Sequence, residues 1–513
     1  THVITRWLGI LILPLATIDA DTGAHKDTRW VTYETFGAAG DGITDDLPSI
    51  CKAHQYANLH KLPVRSKPGA SYHLGQRALT AVIATDTDWG TSRFIIDDSK
   101  GVEDHRKPLF EVRSLLAPIP LEIDSLKQGQ TRLDLQPASD CLVLVENKNR
   151  RRYIRRGLNQ NRGSIQKEAF ILHKDGTITG AIDWDYDTVT SVEAQPIDPD
   201  TLTIRGGIFT NIANRGGKDQ NYAYWKRNIT IRRSNTEING VIHHVTGEQE
   251  DGRPYSGFLT VSQCANVTLR NCQISDRKVY KKIGNAGKPV SMGTYGYSAN
   301  LVVNLKMIKC RMDNIHDRSR WGVTGTNHLK NFLVDGCVLS RVDVHQGVSG
   351  SYIIRNSTIG HAGINAIGRG RLIVENCTLH GRQLVYFRQD YGSTWHGDVV
   401  VRNCRWIMPR RHGSMLRMSN DGSHDFGYPC AMPRTIEIDG LNIEHAEPPE
   451  HPRPIAILPK LEATAKQPFP YQLTKKISIR RLTMPHSLPL QISQNPELFK
   501  AVQIDSTYKI GSN

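Results

Sequence analysis

The chain has 513 residues, 38% of them hydrophobic, and carries 65 Lys and Arg against 50 Asp and Glu, a formal net charge of +15. That length suits one long solenoid with an inserted module or several compact domains, and the charge suits a polyanionic partner: an acidic polysaccharide, a nucleic acid or an anionic membrane face. The nine cysteines, an odd number with neither a CxxC pair nor a Cys/His zinc spacing, argue against a disulfide scaffold and a zinc site.

The chain begins with Arg6 and the apolar run Trp7 to Ala16, ending near Ala20. This is signal-like in length and polarity, is too short to cross a bilayer, and has an ordered N-terminal strand as its alternative. No other segment is suited to a membrane span, and a secreted or periplasmic location is expected. The stretch Phe36-Gly37-Ala38-Ala39-Gly40-Asp41-Gly42-Ile43-Thr44-Asp45-Asp46 comes next. Its glycines permit tight turning, and Thr44, Asp45 and Asp46 stand where side-chain oxygens cap a helix predicted over Leu47 to Leu59. This string resembles the opening motif of pectate-lyase-superfamily proteins, in which a short capped helix covers the N-terminal end of a right-handed parallel β-helix. The resemblance implies an all-β solenoid with a capping helix; it identifies scaffold, not chemistry.

Residues 31–99 are expected to hold the cap and first coils, with short strands at Leu62-Pro63-Val64 and Ala70 to Leu74. Over residues 100–190 the pattern changes to β-like runs at Leu142 to Val145, Arg152 to Ile154, Ala169 to Leu172 and Gly180 to Trp184, separated by turns such as Lys174-Asp175-Gly176. These predict a small antiparallel module inserted on the N-terminal flank. Arg150, Arg151, Arg152, Arg155 and Arg156 form its densest positive run, which suits either an anionic glycan or a charged, solvated strand edge.

Residues 191–445 repeat. Thr203-Ile204-Arg205-Gly206-Gly207, Thr230-Ile231-Arg232-Arg233-Ser234, Thr268-Leu269-Arg270-Asn271-Cys272 and Met307-Ile308-Lys309-Cys310 share an alternating strand that ends in a polar and then a small residue. Units ending at Cys337, Ser357, Cys377 and Cys404 follow at spacings of 27, 20, 20 and 27 residues. A small residue in the same place predicts an interior column, with neighbouring Asn side chains hydrogen-bonded between coils about 4.8 Å apart. One coil cannot bury its apolar face alone, so the coils must stack, and length variation goes into external loops. Residues 446–513 are read as a Pro-rich loop across the C-terminal end and a last coil.

In proteins resembling this family, substrate lies across the sheet formed by the strand that precedes each Asn-Cys strand. Here those strands fall near Gly293 to Tyr295, Trp321 to Thr324, Val344 to Ser349, Ile364 to Gly368, Leu384 to Gln389 and Met415 to Met418. With Val323, Val348, Ile367, Phe387 and Met418 inward, alternation sends Thr324, His345, Tyr386, Arg388 and Arg417 outward. His316, Arg318, Arg320 and His361 stand in the turns leading into these strands. This set suits β-elimination from a uronic acid: Arg or Asn neutralises the carboxylate, a His takes the α-proton and a Tyr protonates the leaving oxygen. The candidate catalytic residues are His345, His316, Tyr386 and Arg388. The candidate substrate-binding residues are Asn365, Arg369, Arg318, Trp321, Arg417 and Tyr295.

The resemblance thus implies a polysaccharide lyase with no nucleic-acid partner, and the charge with the arginine-dense face favours a sulfated glycosaminoglycan such as chondroitin, dermatan or heparan sulfate over pectate or alginate. Polygalacturonase-like hydrolases share the scaffold, but their Asn-Thr-Asp and Asp-Asp signatures are missing from the repeats, and carboxylates near the groove are limited chiefly to Asp313, Asp317, Asp343 and Asp390. A non-catalytic tailspike or adhesin is the third alternative. Some related lyases use calcium; with Glu248, Glu250 and Asp251 confined to one loop, a metal-independent site is expected.

Overall fold

In the computed structural model, parallel pairing joins 25 strands into one continuous wound sheet. The structure describes residues 30–513 apart from 218–223, 285, 293–294, 462–470, 486–488, 496–498 and 511–513; the signal-like run Trp7 to Ala16 lies outside them.

The repeat becomes a register. Ile238, Leu269, Met307, Val334, Ile354, Val374 and Val401 pair in succession from coil to coil, and each is buried. One aliphatic side chain per coil in one column, worth roughly 1.5–3 kcal/mol apiece, is what locks the coils in phase. Thr435–His445 and Lys476–Thr483 extend the stack.

One unit of the sequence alignment is corrected. Thr230 pairs with Thr260 in a different face of the coil, and the strand in register with Thr268 is Thr236–Asn239. Both segments alternate and end in a polar residue, so periodicity alone could not tell them apart.

Cys272, Cys310, Cys337, Cys377 and Cys404 are buried, and all nine cysteines are free. The Cys310 amide donates to Cys337 Sγ at 3.3 Å and the Cys337 amide to Ser357 Oγ at 3.0 Å, so the column continues through the serine. The Asn positions beside it form a broken ladder, Asn271 to Asn239 at 3.1 Å and Asn376 to Asn356 at 3.2 Å, interrupted by Lys309 and Gly336. A second and longer ladder, Asn235, Asn266, Asn304 and Asn331, occupies another corner with links of 2.8–3.0 Å. All four sit at φ between 51° and 59°, the left-handed region that Asn tolerates better than other residues bearing a Cβ.

The cap helix runs Leu47–His60 and buries Leu47, Ile50, Ala53, His54 and Ala57. Its expected side-chain cap is corrected: Asp46 holds the N-cap position, but its carboxylate turns back to accept the amides of Ala39 and Gly40. Asp45 Oδ1 instead accepts from Leu47 and Gly75, tying the helix start to the next coil. Beneath the helix Tyr33 joins His54 and Trp89 at 2.9 and 2.8 Å.

The antiparallel sheet comprises Cys141–Arg152, Ser164–Leu172, Ile178–Thr179 and Ser191–Pro196, with its own apolar core. Phe110–Val112 still belongs to the solenoid. The expected docking place is corrected: the sheet does not sit on the N-terminal flank but packs Leu142, Ala169 and Ile171 on Ala265, Leu301 and Val303, mid-solenoid. Lys330, buried in that interface, lies 2.6 Å from Glu168 and 3.1 Å from Asp183. Burial opposes its charge, but the two carboxylates outweigh burial and raise the lysine pKa. The arginine run is likewise engaged within the chain: Arg150 with Asp187, Arg152 with Gln166 and Gly427 O, Arg155 with Asp390, and Arg156 with Asp421. Three of its members, Arg152, Arg155 and Arg156, fasten the module to the C-terminal coils.

Candidate functional site

Where the module meets the coils, a cleft of about 500 Å³ opens. Its floor is one outward column of the parallel sheet. Asp343 pairs with Asn365, Asn365 with Tyr386, and Tyr386 with Arg417. The inward neighbours Val342, Ile364 and Val385 are buried, which fixes the outward direction of the others. Arg155 and Asn159 of the module line its walls together with Tyr224, Ser291 and Met292. Tyr295 enters because Gly325, which pairs with Asp343, has no Cβ where the Tyr295 ring lies.

One detail corrects the parity expected from sequence. Thr324 pairs with Val342 and Tyr297 in the inward column and is buried, because the register shifts between Tyr295 and Tyr297. His345 keeps its expected outward side, but as an extra residue: Thr326 pairs with Val344 and Asn327 with Gln346, so His345 occupies a bulge. Its imidazole faces the cleft, 3.2 Å from the Tyr391 hydroxyl. Beside the bulge, Gly347 at φ +87° leaves room for the Tyr153 hydroxyl.

The centre is an ion cluster. Arg388, 7% exposed, donates Nη1 to Asp343 at 3.0 Å, and Nε and Nη2 to Asp390 at 2.9 and 2.7 Å. Arg341 adds a second cation 3.3 Å from Asp343, and Arg155 one 2.9 Å from Asp390. Asn365, buried below, donates to Asp343 at 2.9 Å. Burial works against both carboxylates, but Arg341 and Arg388 hold Asp343 well below its ordinary range, and Arg388 and Arg155 lower Asp390. His345 is pushed down to about 3, by burial first and by Arg388 second. Burial raises the Tyr386 and Tyr391 phenols. At neutral pH the cleft therefore holds ionised carboxylates, a neutral imidazole and protonated phenols.

His345, Tyr386, Arg388, Trp321 and Tyr295 thus share this cleft. The other candidates stand apart from it. His316 is exposed in a turn, its ring 4.4 Å from that of His380. Arg318 is exposed in the same turn. Arg369 lies in the narrow interface under the module, its guanidinium 4.4 Å from the Trp184 ring and bonded to Asp183 O. Asn365 supports Asp343 from beneath, and Arg417 covers the Tyr386 ring at 5.3 Å from the next coil. Arg388, placed at the site for its free guanidinium, is saturated by two carboxylates. Alternation from Val342 points Arg341 outward, a signal the sequence reading did not use; Arg155 stood out only as part of the positive run, and Asn159 had no signal, since both come from a distant segment.

Among the described residues no group of three or more His, Cys, Asp and Glu side chains converges as a metal-ligand set, and no helix is long and apolar enough to cross a membrane.

No family model and no curated protein sequence matches the chain. Solved structures do. The Gp54 tailspike of Acinetobacter baumannii bacteriophage AP22, solved in complex with A. baumannii capsular saccharide, matches at a TM-score of 0.52 and 10% identity, over 93% of this chain and 79% of that one. The tailspike gp61 of Pseudomonas phage phi297 matches at 0.51 and 12%, over 93% and 84%. At such identities the likeness is one of architecture, and with the coil register above it shows the chain to be a parallel β-helix.

Proposed function

We propose that the chain binds a uronate-bearing polysaccharide in the cleft beside the module and cleaves it by β-elimination. The carrying observation is geometric: His345 and Tyr386 line one cleft together with Arg341 and Arg155, the imidazole neutral and the phenol protonated at neutral pH. Elimination needs that pair of states. His345 Nε2, or Tyr391 relayed through it, receives the proton α to the uronate carboxylate, while the Tyr386 hydroxyl gives one to the departing glycosidic oxygen. Arg341 and Arg155 neutralise the uronate carboxylate, and Trp321 and Tyr295 offer flat faces to sugar rings.

Asp343 and Asp390 give the hydrolase reading its pair of carboxylates, yet a glycosidase needs one of the two protonated. Both are lowered, so their pairing with arginine favours elimination. The saccharide complex of the AP22 tailspike supports glycan binding on such a fold. Chondroitin and dermatan sulfate head the substrate panel with polygalacturonate, on the net charge of +15. Guanidinium groups here do what calcium does elsewhere, so turnover should survive EDTA.

The test follows ultraviolet absorbance and reducing ends together. Elimination yields an unsaturated, absorbing uronate; hydrolysis yields reducing ends alone; a binder yields neither. His345→Ala and Tyr386→Phe should each lower turnover by roughly 10²- to 10⁴-fold with little change in affinity. Near-native turnover in both variants would remove the cleft from the reaction.

A further inference from the structure

The turn that leads into the cleft-face strand carries a cation in three consecutive coils. Arg382 precedes Val385–Phe387, Arg411 precedes Leu416–Arg417 and Arg453 precedes Ile455–Ala456. These strands are neighbours: Tyr386 pairs with Arg417, and the Met415 and Leu416 amides donate to Ala456 O and Ile457 O. The turns touch as well, through the Gly413 amide donating to Arg382 O at 2.9 Å.

Elsewhere on these coils an arginine meets a carboxylate on an adjacent coil: Arg355 with Asp335, Arg402 with Glu437, Arg405 with Glu444, Arg434 with Asp398 and Arg481 with Asp439. In the cleft-side turn Arg410 follows that rule, 3.5 Å from Glu450, but Arg382, Arg411 and Arg453 do not. Among the described residues, the 370 Å³ depression lined by Arg382, Arg411 and Arg417 has no Asp or Glu in its lining, and the 740 Å³ depression beyond it, with Arg410, Arg411 and Arg453, has Glu450 alone. Like charges gathered in neighbouring turns repel one another, and an anionic chain laid along them would offset that repulsion. Arg417 joins the first depression to the cleft, because its guanidinium lies on the Tyr386 ring. Gln383 Oε1, buried and without a hydrogen-bond partner among the described residues, lines the same depression as an acceptor for a hydroxyl.

We propose that Arg417, Arg382, Arg411 and Arg453 form an extended binding track for a polyanionic glycan, running from the cleft toward the C-terminal end of the solenoid. The inference rests on the proposed function in taking the ligand to be a uronate chain, and it adds direction and length. Two coil steps beyond Tyr386 cover roughly 10 Å, so a chain centred in the cleft reaches the track only when several sugars extend past it.

The test compares chondroitin sulfate and polygalacturonate oligosaccharides of about four and about twelve sugars, on the wild type and on Arg382→Gln/Arg411→Gln/Arg453→Gln; the three arginines are exposed, so their loss spares the core. The wild type should bind the long chain of at least one polymer more tightly than the short one, by a margin that shrinks with added salt. The triple variant should leave short-chain affinity unchanged and weaken long-chain affinity roughly tenfold, from three exposed charge contacts. Equal affinity for long and short chains in the wild type, or an unaltered long-chain affinity in the variant, overturns the track. If no polymer shows an absorbance gain while the variant still loses its preference for long chains, elimination is refuted and the track stands.

Discussion

Removing Arg388 tests the ion cluster at the centre of the cleft. Arg388→Met deletes the one cation shared by Asp343 and Asp390 while keeping most of the side-chain volume. Asp343 then retains Arg341 at 3.3 Å and Asp390 retains Arg155 at 2.9 Å, so each carboxylate is left half-compensated. Breaking a buried pair by removing one partner costs roughly 3–5 kcal/mol, and Asp343, 3% exposed, has little access to water to soften that. The unfolding entropy, roughly 2.1 cal/mol/K per residue, comes to about 1.1 kcal/mol/K for a chain of this length, so a loss of about 4 kcal/mol lowers Tm by about 4 °C. The pH dependence fixes the cause. Both carboxylates have lowered pKa values in the folded state, so their contribution is present above the unfolded value of about 3.9 and is lost as pH falls through the folded one. In the variant those values rise, and protonation relieves the stranded charges. Calorimetry should therefore show a wider gap between wild type and variant at neutral pH than near pH 4 (roughly the unfolded value). A gap of the same size at both pH values would show that the loss is one of packing and not of charge.

The imidazoles of His54, which is buried, and of His328 and His345, which are half-buried, are each lowered to about 3, mainly by loss of hydration. The stability tied to their neutral forms is present above the unfolded value of about 6.5 and is lost as pH falls toward the folded one, so Tm should decline on mild acidification. For the same reason the acid limb of kcat/KM should lie well below 6.5; a limb near that value would mean an exposed histidine is the base. Lys330→Met should strand Glu168 and Asp183 and cost roughly 3–5 kcal/mol. The first consequence expected is loosening of the module, read as new protease cuts within residues 113–201; an uncut variant would place the holding force in the apolar patch of Leu142, Ala169 and Ile171 instead.

The solenoid could be read from sequence because its constraints are local and repeated. A cysteine or serine every 20 to 38 residues marks a position with no room for more, and alternation from it orders each strand. The reading slipped where two segments satisfied the same pattern, as with Thr230 against Thr236, and where the register of a strand shifts. Parity is a property of unbroken strands: one shift beside Thr324 was enough to send it inward, while His345 faces the cleft as alternation places it, from a bulge that alternation does not foresee. The pairing of Asp343 and Asp390 with Arg388 was hidden for another reason. Arg388 and Asp390 are two residues apart at a strand end, but Asp343 reaches them from two coils away, a contact set by register alone.

The cleft depends on a contact that no repeat encodes. Arg155 of the inserted module pairs with Asp390, Arg156 with Asp421, and Tyr153 packs at Gly347 beside the His345 bulge. Each reaches a different coil, so docking the module closes one wall of the cleft and completes the charge balance of its floor in the same step. A solenoid without the module would keep its aliphatic column and most of its Asn ladders; Asn235 alone of the ladder residues named above donates into residues 113–201, to Asp198 O at 2.6 Å. Such a solenoid would leave Asp390 on Arg388 alone and the bulge uncovered. The aliphatic column that phases the coils thus lies outside the cleft's charge network, so substitutions at Arg155 should alter the pH dependence of turnover while leaving the coil register intact.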